Sequence, residues 1–144
     1  MFKKYYKTSA IKAEQFDGSK RMIDKYGICR YAQYGYTGPE HWEIRTNNGW
    51  VGVYAGDWIA TDDNGKCWPI TDDVFKQRYA ELPMIPKYVA EFIKGEKEGK
   101  HPLVGAIVAA EYEKSGYWIA YHSNQFARAW LDGYQVGTDR GELN

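Results

Sequence analysis

Two Asn-Gly pairs, at positions 48–49 and 64–65, constrain this chain more than any other feature of its sequence. Asn-Gly flanked by alternating apolar residues is the strongest short-range signal for a β-hairpin, because both residues tolerate the positive φ of a type I′ turn. The sequence therefore predicts two hairpins with two-residue loops. The expected pairs are Thr46 with Val51 and Ile44 with Val53 in the first hairpin, and Thr61 with Trp68 and Ile59 with Ile70 in the second.

This pairing predicts which aromatic side chains face the core, since successive strand residues point to opposite faces of a sheet. The face expected to pack inward carries Trp42, Ile44, Val51 and Val53, and Trp68 is also expected in the core. Trp58 is expected to point away from Ile59 and Ile70. The candidate ligand-binding residues on the open face are Arg45, Trp50, Tyr54 and Trp58.

Two interpretations of that open face remain. The carboxy-terminal helices or a second subunit could cover it. Alternatively it is a ligand surface, because aromatic rings stack on nucleobases and an adjacent arginine can bind a phosphate through two hydrogen bonds.

The pattern of elements predicts an α+β fold. It is expected to consist of a small antiparallel sheet of hairpins with flanking helices, followed by a carboxy-terminal helical module. An opening strand is predicted within residues 5–16, a helix after Ser19, and a helix over 72–81. The prolines within 82–86 mark the boundary between a β-rich domain, 1–82, and a helical domain, 83–144.

Composition excludes several classes of function. The 144 residues contain 19 Lys+Arg and 19 Asp+Glu, a balance that argues against a protein that coats DNA. Charge is uneven, however, since residues 1–35 carry 8 basic and 3 acidic side chains. The longest apolar run, within 103–110, is too short to cross a bilayer, and no signal peptide is recognised at the start. We therefore expect a cytoplasmic protein with free thiols and no membrane association.

The sequence shows no recognisable catalytic or metal-binding pattern. The three His and two Cys lack the paired spacing of a zinc site, and the run Asp62 to Gly65 is too compressed for a calcium loop. Cys29 and Cys67 have no neighbouring base in the sequence. The sequence thus predicts no catalytic residues, no metal, no cofactor and no enzymatic activity.

Two segments carry recognisable motifs. The first has K-x-x-x-I-x-A-x-Q-F-x-G from Lys7, G-D-W-I-x-T from Gly56 and N-G-x-x-W-P-I-x-x-D-V-F-x-x-x-Y from Asn64. It resembles a small module of phages and prophages of Gram-positive bacteria, over residues 5–82. The second has I-P-K-Y-V-A-x-F-I from Ile85 and F-A-R-A-W-L-D-G-Y from Phe126. It resembles a prophage family of unknown function, over 85–136.

These resemblances imply a phage or prophage accessory protein that acts in the bacterial host. Together with the aromatic and arginine face, they suggest a non-enzymatic role in counter-defence, namely sequestering a nucleotide-like immune signal. One alternative is a protein–protein inhibitor of a host immune complex such as a CRISPR effector, and another is a phage structural or replication accessory. An enzyme acting on nucleic acid or nucleotides has only the phage context in its favour. A homo-oligomer could form if the short strand predicted at 134–136 extended a neighbouring sheet.

Overall fold

The computed structural model describes residues 1–30 and 41–137. It has the predicted α+β fold, and its carboxy-terminal region is helical. The chain divides into two compact units, Met1–Ala80 and Glu81–Asn144. The described strands are β1 (Lys12–Gln15), β2 (Cys29–Arg30), β3 (Trp42–Thr46), β4 (Gly49–Val53), β5 (Trp58–Thr61), β6 (Cys67–Ile70), β7 (Met84–Ile85) and β8 (Gln135–Val136). The helices are α1 (Lys20–Tyr26), α2 (Asp72–Arg78), α3 (Lys87–Glu98), α4 (Leu103–Ala109), α5 (Lys114–Tyr121) and α6 (Ser123–Asp132), with a 3₁₀ turn at Ala110–Tyr112.

The first unit contains two three-stranded antiparallel sheets, ordered β1-β5-β6 and β2-β3-β4. Both sheets and α1 contribute side chains to one core. Helix α1 begins as expected, because the Ser19 hydroxyl accepts a hydrogen bond from the Met22 amide, and it ends at Gly27 with positive φ. The buried members of this core are Phe16, Met22, Ile28, Ile44, Val53 and Ile59.

The first hairpin forms, but its predicted register is wrong. Thr46 pairs with Gly49 and Ile44 with Val51, so the two-residue loop is Asn47–Asn48. Neither Asn has positive φ, whereas Gly49 has φ +96°. A type I′ turn needs two residues with positive φ within the loop, but this hairpin has a single one, directly after the loop. Because the slip moves each partner by two residues, each strand residue keeps its predicted face, but Val51, which was expected to pack inward, is 38% exposed. Ile44 and Val53 are buried, and Arg45 and Trp50 lie on the opposite, exposed face.

The second hairpin differs by a single position, and here the predicted faces are wrong. Thr61 pairs with Cys67 and Trp58 with Ile70, so Trp58 shares its face with Ile70 and Trp68. The loop has three residues, 63–65, because Asp62 still pairs with Lys66 through a backbone hydrogen bond of 3.0 Å. The Asp62 carboxylate accepts the Asn64 and Lys66 amides at 2.9 Å. A one-residue change of register moves every β6 side chain to the other face relative to β5. Trp68, which was expected in the core, therefore lies half-buried on the face opposite Ile59.

The second unit is built around α3 to α6. Its strands β7 and β8 pair in parallel, Met84 with Gln135 and Ile85 with Val136. The strand predicted at 134–136 thus pairs within the chain. The start of the unit is held by side chains from its end, since Arg128 donates to the Glu81 carbonyl at 3.0 Å and Gln135 to the Leu82 carbonyl at 3.0 Å. The buried core includes Ile85, Val89, Ile93, Trp118, Phe126 and Trp130.

Candidate functional site

Three of the four predicted site residues lie on one sheet face. Arg45 on β3 is the direct cross-strand partner of Trp50 on β4, and Tyr54 follows the end of β4 with the same strand parity. Trp50 keeps 48% of its surface exposed and Tyr54 keeps 55%. Directly opposed side chains in an antiparallel pair have Cβ atoms about 5 Å apart, so the Arg45 and Trp50 side chains are neighbours.

A glycine separates the two exposed rings. Gly52 lies between Trp50 and Tyr54 on the same face, and a Cβ placed there would be 3.5 Å from the Tyr54 hydroxyl and 3.4 Å from His41 Cε1. The Tyr54 ring therefore approaches the bare backbone of Gly52. It also contacts the His41 ring edge-to-face, with 5.8 Å between centroids. The Tyr54 and His41 rings therefore contact each other at one end of this face. At the other end, the exposed Trp50 indole lies beside Arg45.

Trp58, the fourth predicted residue, is not brought to this face. It belongs to the other sheet, where its indole stacks on Phe75 of α2 with centroids 4.1 Å apart and planes 10° from parallel. Its Nε1–H donates to the Asp72 carboxylate at 2.8 Å. Trp58 therefore attaches α2 to the sheet, a contact that the predicted two-residue loop could not reveal.

A cavity of about 380 Å³ adjoins Arg45. It opens to solvent where the end of α1, the first hairpin turn and the second hairpin turn meet. Three basic residues, Lys25, Arg45 and Lys66, are among its lining residues. The others are Tyr26, Thr46, Asn47, Gly65 and Cys67. Its volume falls within the usual range for small-molecule sites, about 300–1,000 Å³.

The three basic residues of the cavity differ in their partners. Lys25 donates to Glu14 at 3.0 Å, and this hydrogen bond holds the pKa of the Glu14 carboxyl below its ordinary value. Within residues 1–30 and 41–137, no carboxylate lies within ion-pair distance of the Arg45 guanidinium or the Lys66 ammonium, although the Asp62 carboxylate accepts the Lys66 backbone amide. Two cations of the cavity are therefore available to an anionic ligand. Sequence reasoning missed Lys25 and Lys66, because only the folded turns bring them to Arg45.

The described residues offer no metal centre. Across 1–30 and 41–137, no three His, Cys, Asp or Glu side chains are grouped so that they could hold a metal ion. Cys29 and Cys67 are free thiols, the first exposed and the second half-buried. In the same part of the chain, every helix is too short or too polar to span a membrane.

Comparison with known protein families finds a similarity within the second unit. Residues 80–138 match the profile of a family described as a protein of unknown function (DUF1642), which brings no activity with it. This segment contains the whole of the 85–136 region in which the sequence motifs indicated a family of unknown function. No curated protein and no solved structure matches the chain.

Proposed function

We propose that this protein is a non-enzymatic binder of a nucleotide-like small molecule, held by the Met1–Ala80 unit at the Arg45 surface. This surface consists of Arg45, Trp50 and the cavity that Lys25 and Lys66 line with Arg45. The observation that supports it most directly is the position of Arg45. It pairs across the sheet with an exposed indole, and it also lines a cavity containing further basic residues.

Each part of the surface suits one part of such a ligand. An exposed indole face stacks on a planar base, a contact that contributes about 1–3 kcal/mol in comparable sites. A guanidinium matches a phosphate with two parallel hydrogen bonds, and Lys66 adds a mobile point charge. The protein as a whole has no net charge, so attraction of the anion depends on these local cations rather than on a long-range field.

The sequence motifs suggest the biological setting. A phage or prophage protein acting in the host cytoplasm could sequester a nucleotide immune signal by binding alone, without turnover. This role needs tight binding and no catalytic group. It is consistent with a surface composed of aromatic and basic side chains.

One observation favours a second function, inhibition of a host immune protein. Helix α4 contains no charged residue, and its Val104, Ile107 and Val108 side chains, at helical spacing, are 71%, 41% and 62% exposed. Exposed apolar stripes of this kind are typical of protein interfaces. A partner captured by the wild type and by the Arg45→Ala variant, but lost with Val104→Asp, would support this function over ligand binding.

Isothermal titration calorimetry against cyclic dinucleotides, cyclic trinucleotides and cyclic ADP-ribose isomers tests the first function. We expect one of these ligands to bind, and Arg45→Ala to weaken it by about tenfold or more, since a lost hydrogen bond to a charged group is worth about 1.5–3 kcal/mol. Trp50→Ala should weaken it by at least about fivefold. The matched control is Lys94→Ala, which removes an exposed charge from α3 in the other unit. Absence of heat with every ligand, or wild-type affinity in both site variants, would overturn the proposal.

A further inference from the structure

A second basic and aromatic surface on the first unit involves none of the residues that form the Arg45 surface. Residues 1–7 have no helix or strand and read Met-Phe-Lys-Lys-Tyr-Tyr-Lys. Their rings are almost fully accessible, with Phe2 at 106%, Tyr5 at 87% and Tyr6 at 84% of their reference surface. Three lysines alternate with these rings. We call residues 1–7 the Lys/Tyr segment.

The Lys/Tyr segment reaches a groove on the folded part of the unit. The Lys7 ammonium lies over the Trp68 ring, 5.5 Å from its centroid. Trp68 lines a groove of about 320 Å³, together with Arg78 and Tyr79 of the region around α2. The cation–π contact therefore places the segment beside a second aromatic wall.

The groove is preformed. Its Tyr79 ring stacks on Phe75 with centroids 5.2 Å apart and planes 16° from parallel, and Phe75 stacks in turn on Trp58 at 4.1 Å. The rings of Trp58, Phe75 and Tyr79 thus form a nearly parallel stack that runs from strand β5 to the groove. A ligand that contacts Tyr79 need not order this wall on binding, which lowers the entropic cost of association.

The cations of this surface form no ion pair with any described residue. In the described part of the chain, no Asp or Glu carboxylate lies within ion-pair distance of Lys3, Lys4, Lys7 or Arg78. Elsewhere on the same unit lysines pair with carboxylates, as Lys76 does with Asp72 at 2.8 Å. The surface therefore combines aromatic rings with four positive charges that lack an ion-pair partner in the described part of the chain.

We propose that the Lys/Tyr segment and the Trp68 groove together bind single-stranded nucleic acid, over roughly four nucleotides. Single strands present both a phosphate backbone and free base faces, which matches lysines interleaved with rings. Duplexes hide their base faces in the stack. A membrane surface would favour an amphipathic helix, whereas residues 1–10 contain none, and it could not use the half-buried Trp68 and Tyr79 rings of the groove.

Fluorescence anisotropy with labelled dT10 and rA10, at 50 and 200 mM salt, tests the proposal on the full chain. Each phosphate neutralised on a single strand contributes about −0.7 to the slope of log K against log salt, so four contacts predict about −3. Lys3→Ala/Lys4→Ala/Lys7→Ala should reduce the slope to about −0.7. Tyr5→Ala/Tyr6→Ala should weaken binding by at least about fivefold without changing the slope. These residues lie outside every helix and strand, so the variants are expected to fold.

The controls separate this surface from the Arg45 surface and from lipid binding. Arg45→Ala and Lys94→Ala should leave oligonucleotide affinity unchanged, and the Lys/Tyr variants should leave binding of a cyclic nucleotide unchanged. The proposal is overturned if neither oligonucleotide binds, or if the Lys/Tyr variants bind as the wild type does. It is also overturned if duplex DNA binds equally well, or if vesicles with 30% phosphatidylserine bind while the oligonucleotides do not.

Discussion

Replacing each of two tryptophans by alanine should have opposite consequences, although the sequence places both among the site residues. In the structure, Trp58 stacks on Phe75 and donates to Asp72, whereas Trp50 lies 48% exposed beside Arg45. Trp58→Ala should therefore destabilise the first unit. Trp50→Ala should leave its stability nearly unchanged and weaken ligand binding instead.

The expected magnitudes follow from what each ring contacts. Truncating a core Trp to Ala costs about 3–5 kcal/mol, and because Trp58 is only half-buried we expect about 3 kcal/mol. Trp50 contacts less, and its truncation should cost below about 1 kcal/mol, in line with exposed positions generally. A difference of about 2 kcal/mol corresponds to roughly 8–16 °C in the melting temperature of a unit of this size.

Hydrogen exchange followed by mass spectrometry measures the loss of stability around Trp58 in the first unit. In Trp58→Ala, amides of peptides that cover β5 and α2 should exchange faster, while peptides from α3 to α6 serve as an internal reference. Thermal unfolding followed by circular dichroism supplies the melting temperatures. Trp58→Phe is the matched control, because it keeps a ring against Phe75 and removes only the indole donor, so its loss should be the smaller one.

A melting temperature of Trp50→Ala as low as that of Trp58→Ala would contradict this prediction. That result would mean that the Trp50 indole is part of the packing and that the open face of β3 and β4 is not a free surface. Equal stability of Trp58→Ala and the wild type would be equally damaging, since the stack on Phe75 would then contribute nothing.

Two further predictions concern stability. Gly116→Ala should destabilise the second unit by about 1–3 kcal/mol in urea unfolding, because the added Cβ would overlap the Ala110 carbonyl oxygen. The control Gly95→Ala, in an open position on α3, should instead stabilise the unit by up to about 1 kcal/mol. A stabilised Gly116→Ala variant would show that Gly116 does not approach Ala110 this closely. The hydrogen bond from Lys76 holds the pKa of Asp72 below its ordinary value of 3.8, so its contribution to stability is present above that pH and lost as the pH falls through the lowered value. Carboxyl NMR titration should show the Asp72 pKa rising in Lys76→Ala, and an unchanged pKa would contradict the assignment.

Local sequence rules predicted the hairpins and helix starts, yet only the fold placed Trp58 in a different sheet from the other three predicted site residues. In the first hairpin, each β3 residue pairs with a β4 residue two positions earlier than expected. Because side chains alternate with a period of two, Arg45 and Trp50 stay on the exposed face. At 63–65 the loop gains one residue, so Trp68 and Ile70 of β6 lie on the Trp58 face, and α2 packs against Trp58 there. Asn-Gly is compatible with both loop lengths, and the choice depends on hydrogen bonds such as those accepted by Asp62.

The sequence by itself determined the α+β composition, the cap at Ser19 and the open face of β3 and β4, because these depend on local geometry and a period of two residues. Only the tertiary structure decided which cations share a cavity. Lys25, Arg45 and Lys66 lie about twenty positions apart, and no spacing rule connects residues on three different elements. Their meeting depends on how α1 and two turns pack around one core, which is a property of the whole fold rather than of any segment.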